Sequence, residues 1–174
     1  MIIEMTHNNL QDINKANQPF DVIGKIVPKF VDGVWSFSEC VYDESYEKSY
    51  PNDDEDWGDY IDNPNKIVFF CYDDDDCVGQ VRIRKNWNGY AYIEDIAVSK
   101  SHRKKGVGRM LIQKTVEWAK TKKLYGIMLE TQDVNLLACR FYDKLGFKIG
   151  AVDTMLYSNF DNAHEKAVFW YMKF

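Results

Sequence analysis

The stretch from Ala91 to Gly108, AYIEDIAVSKSHRKKGVG, constrains this chain more than any other. Tyr92 to Val98 reads as a buried strand. A short basic turn follows, then Gly106 and Gly108, and then a long helical pattern. A strand that delivers free backbone N–H groups and the N–H groups of a helix start to one point makes a site for a diphosphate. Arg103, Lys104, Lys105 and Arg109 stand around that point and carry the sign of charge that phosphate attracts.

The net charge of −5 conceals a segregation along the chain. Between Glu39 and Asp76 there are fourteen acids against Lys48 and Lys66, and between Lys100 and Lys123 nine bases against Glu117. A basic turn and helix beside an acidic half disfavours nucleic acid, whose phosphates the acidic half would repel. A small cationic partner meeting a polyanionic cofactor suits both halves. The acidic runs also have a plain reading as solvated loops, the better one for Asp73 to Asp76.

With 174 residues, 45% of them apolar, the chain is expected to form a single domain with its own core. The start, MIIEMTHNN, lacks the features of a signal peptide, and no apolar run approaches a membrane span. A cytoplasmic protein without a membrane partner is expected. Cys40, Cys71, Cys77 and Cys139 have no metal-ligand spacing and read as reduced thiols. His7, His102 and His164 are scattered, and no metal or catalytic role is assigned to them.

Periodicity gives the element order. Alternating apolar residues on both sides of Asp32-Gly33 predict a β-hairpin, with Pro28 at an edge. A helix is expected around Asp53 to Tyr60, its acids favourable at the N-terminal end. A second hairpin is expected from Ile67–Tyr72 and Cys77–Arg84, then the strand Tyr90 to Val98. Val107 to Lys120 reads as a helix with Val107, Met110, Leu111, Val116, Trp118 and Ala119 as its apolar stripe. Gly126 to Glu130 is a short strand, Asn135 to Leu145 a helix stopped by Gly146, and two strands close the chain. The fold class is α/β (α+β): a mixed, mostly antiparallel central sheet flanked by helices.

Arg103 to Gly108 alone is a weak signal, and a plain turn before a helix would explain its glycines. Combined with the strand ending Ile96-Ala97-Val98 and the later segment Asn135 to Phe147, it resembles the GCN5-related N-acetyltransferase superfamily over about residues 65 to 174. That resemblance implies an acetyl-CoA-dependent N-acetyltransferase, with an acceptor-side part at 1–64 and an acetyl-CoA-binding core at 65–174. It implies that main-chain amides of Lys104, Lys105, Gly106, Val107, Gly108 and Arg109, beside Arg103, hold the coenzyme A diphosphate. It further implies that Ile96, Ala97 and Val98 run along pantetheine as an added strand would, that Asn135 and Ala138 contact its arm, and that Tyr142 sits beside the sulfur. A narrower similarity, to the streptothricin acetyltransferases, covers YIEDIAV, HRKKGVGRML, LETQD, GFKIGAVDTMLY and Glu165-Lys166-Ala167. It implies a cationic antibiotic acceptor acetylated on a β-lysine amino group.

An alkylammonium of pKa about 10.4 must lose a proton before it can attack a thioester. Strict alternation would place Tyr92, Glu94, Ile96 and Val98 on one strand face and Ile93, Asp95 and Ala97 on the other. On that reading Glu94 is the candidate base, through a water, and Asp95 is structural; an ordinary salt-bridged strand carboxylate is the alternative for Glu94. A backbone N–H at a bulge near Ile96 to Val98 is expected to stabilise the oxyanion, and Tyr142 to protonate the leaving thiolate unless it is merely a buried aromatic. Cys139 is expected in the core. Glu130, Asp153, Tyr157 and Glu165, with Glu94, are the candidate contacts to a substrate ammonium, each with a structural alternative. Competing readings are an amino-sugar phosphate acceptor, a peptide N-terminus, and a non-catalytic acyl-CoA sensor. The oligomeric state, a homodimer included, stays open.

Overall fold

The computed structural model describes residues 1–174. The chain forms two compact units, each discontinuous in sequence: residues 1–19, 49–127 and 174 in the first, and 20–48 and 128–173 in the second. Neither follows a boundary at 64/65.

In the first unit, β1 (Ile2–Glu4), β4 (Lys66–Asp73), β5 (Asp76–Lys85) and β6 (Ala91–Val98) lie side by side in the order β1-β4-β5-β6. Each of these neighbours is antiparallel. The β4–β5 connection is the expected hairpin, with Asp74 at φ +49°, a left-handed value that Asp tolerates better than most residues. One sheet face, through Val68 and Phe70, packs on Met5 and Tyr60, with Leu10, Ile13, Trp57 and Ile61 around them. Helix α1 (Val107–Thr121) covers the other face.

The approach of α1 to β5 is set at Gly79. A Cβ there would stand 2.8 Å from Val107 Cγ1 and 3.2 Å from Leu111 Cδ1. The buried stripe of α1 is Val107, Leu111, Ile112, Thr115, Trp118 and Ala119. Met110, expected in that stripe, is exposed, and Thr115 takes a buried place because its hydroxyl donates to the Leu111 carbonyl at 2.9 Å.

The helix expected at Asp53 to Tyr60 is only a 3₁₀ turn, Trp57–Tyr60. Asp56 Oδ1 accepts the Gly58 N–H at 3.0 Å and starts the turn. The preceding Pro-Asn-Asp-Asp residues favour local side-chain capping over helix. No helix in the chain is long and apolar enough to cross a membrane.

The second unit holds the first hairpin, β2 (Phe20–Val31) and β3 (Val34–Lys48), which pair antiparallel only with each other. Asp32 and Gly33 both have positive φ (+50° and +79°), the paired left-handed values of the tight turn foreseen from Asp-Gly. It also contains β7 (Gly126–Gln132), most of which lies in this unit, helix α2 (Leu136–Lys144), β8 (Lys148–Asp153) and β9 (Ala167–Lys173), with strand order β7-β9-β8. The β2–β3 hairpin is fastened to α2 by Arg140, whose Nε and Nη2 donate to Glu39 Oε1 and Oε2 at 2.9 and 2.5 Å.

Gly79→Ala should drive a methyl into the α1–β5 contact and lower stability by about 1–3 kcal/mol. Urea denaturation would read this as a lower midpoint at unchanged slope.

Candidate active site

The turn between β6 and α1 is built to present amides. Ser99 N–H donates to Val78 O and His102 N–H to Ser99 O, both at 2.9 Å, which closes a 3₁₀ turn at Lys100–His102. Lys104 (φ +64°) and Gly106 (φ +93°) then reverse the chain. Gly106 is the N-cap of α1 and supplies no side-chain cap. The first amides of a helix have no intrahelical partner and lie at the positive end of its dipole. Beyond Gly106 and its two chain neighbours, no heavy atom lies within 4 Å of where a Gly106 Cβ would be, so the cap opens on free space. A left-handed, uncapped, open helix start ringed by the exposed cations Lys104, Lys105 and Arg109 fits a diphosphate.

Arg103 serves a different purpose from its neighbours. Its Nε donates to Val98 O at 3.0 Å, Nη1 to Pro19 O at 2.8 Å and Nη2 to Gln18 O at 2.9 Å. The guanidinium therefore ties the end of β6 to the N-terminal segment. His102 pins the same turn, with Nε2 3.1 Å from Asp73 Oδ2 and Nδ1 2.9 Å from the Ser99 and Ser101 hydroxyls.

Along β6 the structure corrects the alternation. Ile93 pairs with Ile83 and Asp95 with Arg82, so Glu94 is the extra residue of a β-bulge. A bulge breaks the two-residue period. Ile93, Ile96 and Val98 consequently share the Gly79/Val81/Ile83 face on which α1 packs, whereas Asp95 and Ala97 share the face of Gln80 and Arg82. Glu94 reaches that second face too. Its Oε2 accepts from the Tyr60 hydroxyl at 2.7 Å and its Oε1 lies 2.9 Å from Arg84 Nε. The two carboxylates expected on opposite faces thus stand on one, and Glu94 is not on the side of Ile96 and Val98. The bulge itself falls at Glu94, ahead of the Ile96–Val98 stretch where it was expected. Asp95 accepts from Gln80 Nε2 at 2.5 Å, and burial pushes its pKa above the usual carboxylate range.

In the second unit, Asn135 is the N-cap of α2, its Oδ1 accepting the Ala138 N–H at 3.2 Å. A parallel bridge to Gly24 and the Ile26 N–H to Asp133 O bond (3.0 Å) hold this corner against β2. At the other end, Gly146 (φ +93°) donates to Asp143 O at 2.9 Å and Phe147 N–H donates to Tyr142 O at 3.1 Å. That pair of bonds is a Schellman stop, and Phe147 and Tyr142 supply its apolar contact with ring centroids 5.6 Å apart. Tyr142 is buried and also meets Phe141 and Trp170, at 5.4 and 6.2 Å. Cys139, one turn before, is fully buried, and burial raises its thiol pKa.

The other candidate acids of the second unit, Glu130, Asp153 and Glu165, have protein partners. Tyr157 donates its hydroxyl to Glu130, whose carboxyl is pushed up by burial. Asp153 Oδ1 accepts the amides of Met155 and Leu156 at 2.7 and 3.0 Å and so shapes a turn. Glu165, 4% exposed, receives the Lys48 ammonium and the Asn162 amide.

Tyr60, Arg82 and Arg84 escaped the sequence reading. The alternation of Arg82 and Arg84 with Val81 and Ile83 was their signal: two guanidinium groups on one strand face call for carboxylates opposite. Arg82 binds Asp53 and lies over the Trp57 ring at 5.2 Å.

The acetyltransferase (GNAT) family profile matches residues 31–147. Streptothricin acetyltransferase A of Bacillus subtilis (strain 168) is 53% identical over 174 residues, all of both chains. The chain belongs to the GNAT acetyltransferase family. Among its GNAT relatives, an Escherichia coli streptothricin acetyltransferase is 36% identical over 127 residues, 72% of this chain and 70% of that one. A candidate streptothricin acetyltransferase of Bacillus anthracis strain Ames, solved with acetyl coenzyme A, superposes with TM-score 0.92 and 37% identity, covering 100% of this chain and 99% of that one. A nourseothricin acetyltransferase structure gives TM-score 0.83 and 26% identity, covering 99% and 97%. The mixed, mostly antiparallel sheet with two helices agrees with the GNAT fold expected from the sequence.

Thiol reactivity tests the burial of α2. Cys40 is exposed, Cys71 and Cys139 are buried, and burial pushes the Cys77 thiol up to about 11. At pH 8 an aromatic disulfide reagent should modify Cys40 rapidly, the half-buried Cys77 slowly, and Cys71 and Cys139 only after denaturation.

Proposed function

We propose that this protein is an acetyl-CoA-dependent N-acetyltransferase that acetylates an amino group on the β-lysine moiety of streptothricin, and so confers resistance to that antibiotic in the cytoplasm. The observation that carries the acceptor assignment is the 53% identity to a streptothricin acetyltransferase over the whole of both chains. The acidic segment from Glu39 to Asp62 supports it, because a polycation is drawn to such a surface.

When bound, acetyl-CoA supplies the acetyl group as a thioester. The amides from Lys104 to Arg109 take its diphosphate, with Lys104, Lys105 and Arg109 adding charge and Arg103 holding the turn in shape. The main chain at Ile96, Ala97 and Val98 runs along the pantetheine arm, and Asn135 and Ala138 contact it at the start of α2. Glu94 accepts the proton of the acceptor ammonium, directly or through a water, since only the neutral amine has a lone pair to attack with. A main-chain N–H of β6 stabilises the oxyanion, a contribution commonly of about 3 kcal/mol. Tyr142 gives a proton to the departing sulfur, which leaves Cys139 without a covalent role. Glu130 and Tyr157 form the pair assigned to a second ammonium of the acceptor, while Asp153 and Glu165 hold the segments on either side.

Release of free thiol from acetyl-CoA in the presence of streptothricin tests the reading directly. Glu94→Gln should lower kcat by about 100-fold or more, and Tyr142→Phe by about tenfold or more. Gly106→Val should weaken acetyl-CoA binding by calorimetry, because its left-handed cap is costly for a β-branched residue. Thiol release with glucosamine 6-phosphate or a peptide amine, and none with streptothricin, would overturn the acceptor assignment.

A further inference from the structure

Two side chains outside the proposed catalytic set fix the Glu94 carboxylate from opposite elements. Tyr60, at the end of the 3₁₀ turn, is 2% exposed and donates its hydroxyl to Oε2 at 2.7 Å. Arg84, on β5, approaches Oε1 with Nε at 2.9 Å. Both anchors are themselves immobilised. Tyr60 packs among Met5, Val68 and Phe70, and the Lys66 ammonium stands 5.0 Å from its ring. The Arg84 guanidinium lies 4.9 Å from the Tyr92 ring centroid and donates from Nη1 to Asn86 Oδ1 at 2.8 Å.

Arg82 stands nearby without taking this role. Its Nε is 3.8 Å from Glu94 Oε2 and is buried with no hydrogen-bond partner. Its other nitrogens face Asp53 and Glu55. Glu55 Oε2 also lies 3.0 Å from the Tyr60 oxygen, but a phenol has one proton to donate, and the shorter contact is to Glu94.

We propose that Tyr60 and Arg84 are positioning residues that hold the Glu94 carboxylate, one at each oxygen, in the orientation from which it takes the acceptor proton. The inference rests on Glu94 being the base. A glutamate side chain rotates about three bonds, and anchoring both oxygens removes that freedom before the acceptor arrives. Misplacement of a reacting group by about 1 Å can cost on the order of 100-fold in rate.

Tyr60→Phe keeps the ring and removes only the hydroxyl. In the streptothricin assay it should lower kcat about tenfold and leave KM for acetyl-CoA unchanged. Combined with Glu94→Gln, it should cause no further loss, because a residue acting through Glu94 has nothing left to position. Full activity of Tyr60→Phe, or an equal loss with and without the Glu94 carboxylate, would overturn the proposal and leave Tyr60 a packing residue. Undiminished turnover by Glu94→Gln alone would remove the base assignment itself and the inference with it, a result distinct from the first two. If Tyr60→Phe does not fold by circular dichroism, Arg84→Gln in the same four-protein cycle decides: the same non-additive loss in kcat supports the positioning role, and an additive loss or no loss refutes it.

Discussion

The close approach of α1 to β5 at Gly79 is the contact on which the proposed cofactor end of this protein depends. With no Cβ at that point, Val107 and Leu111 settle onto the strand. The first turn of α1 is thereby brought beside Val98, the residue that pairs with Gly79. Arg103 then clasps three carbonyls, of Val98, Pro19 and Gln18. A backbone proposed to offer its amides to a diphosphate cannot rely on those same amides for its own stability. Packing below and a guanidinium behind supply the rigidity instead.

The opposite sheet face solves a different problem, that of gathering carboxylates in a half-buried place. Glu94 and Asp95 would repel each other and lose hydration if left alone there. Arg84, Tyr60 and Gln80 give them donors, and Arg82 draws in Asp53 from the acidic segment. Pairing of this kind adds little net stability once desolvation is counted, and breaking one partner away is costly. It is better understood as a device for fixing orientation than as a source of stability.

Much of this was legible in the sequence, and the exceptions have identifiable physical causes. Asp-Gly announced the first hairpin, glycine after Leu145 announced the end of α2, and the Arg103–Gly108 pattern announced the turn before α1. Strand alternation failed at Glu94, because a bulge is a matter of register between two strands and leaves no mark in either one alone. The helix expected before Tyr60 shrank to a single turn, because the acids that favour a helix start also cap locally and bind Arg82 and Lys66. Arg103 looked like one more phosphate-seeking cation; only the fold reveals the carbonyls of Pro19 and Gln18, more than eighty residues away in sequence.

The Schellman stop of α2 has a consequence for the chemistry. Tyr142 owes its place to main-chain bonds from the two residues that follow Leu145 and to the Phe147 ring against it. Gly146 itself carries no functional group, yet its mirror-image backbone conformation decides where the phenol stands. A residue with no side chain is in this way as much a part of the proposed acid's address as the aromatic ring that would bear the proton.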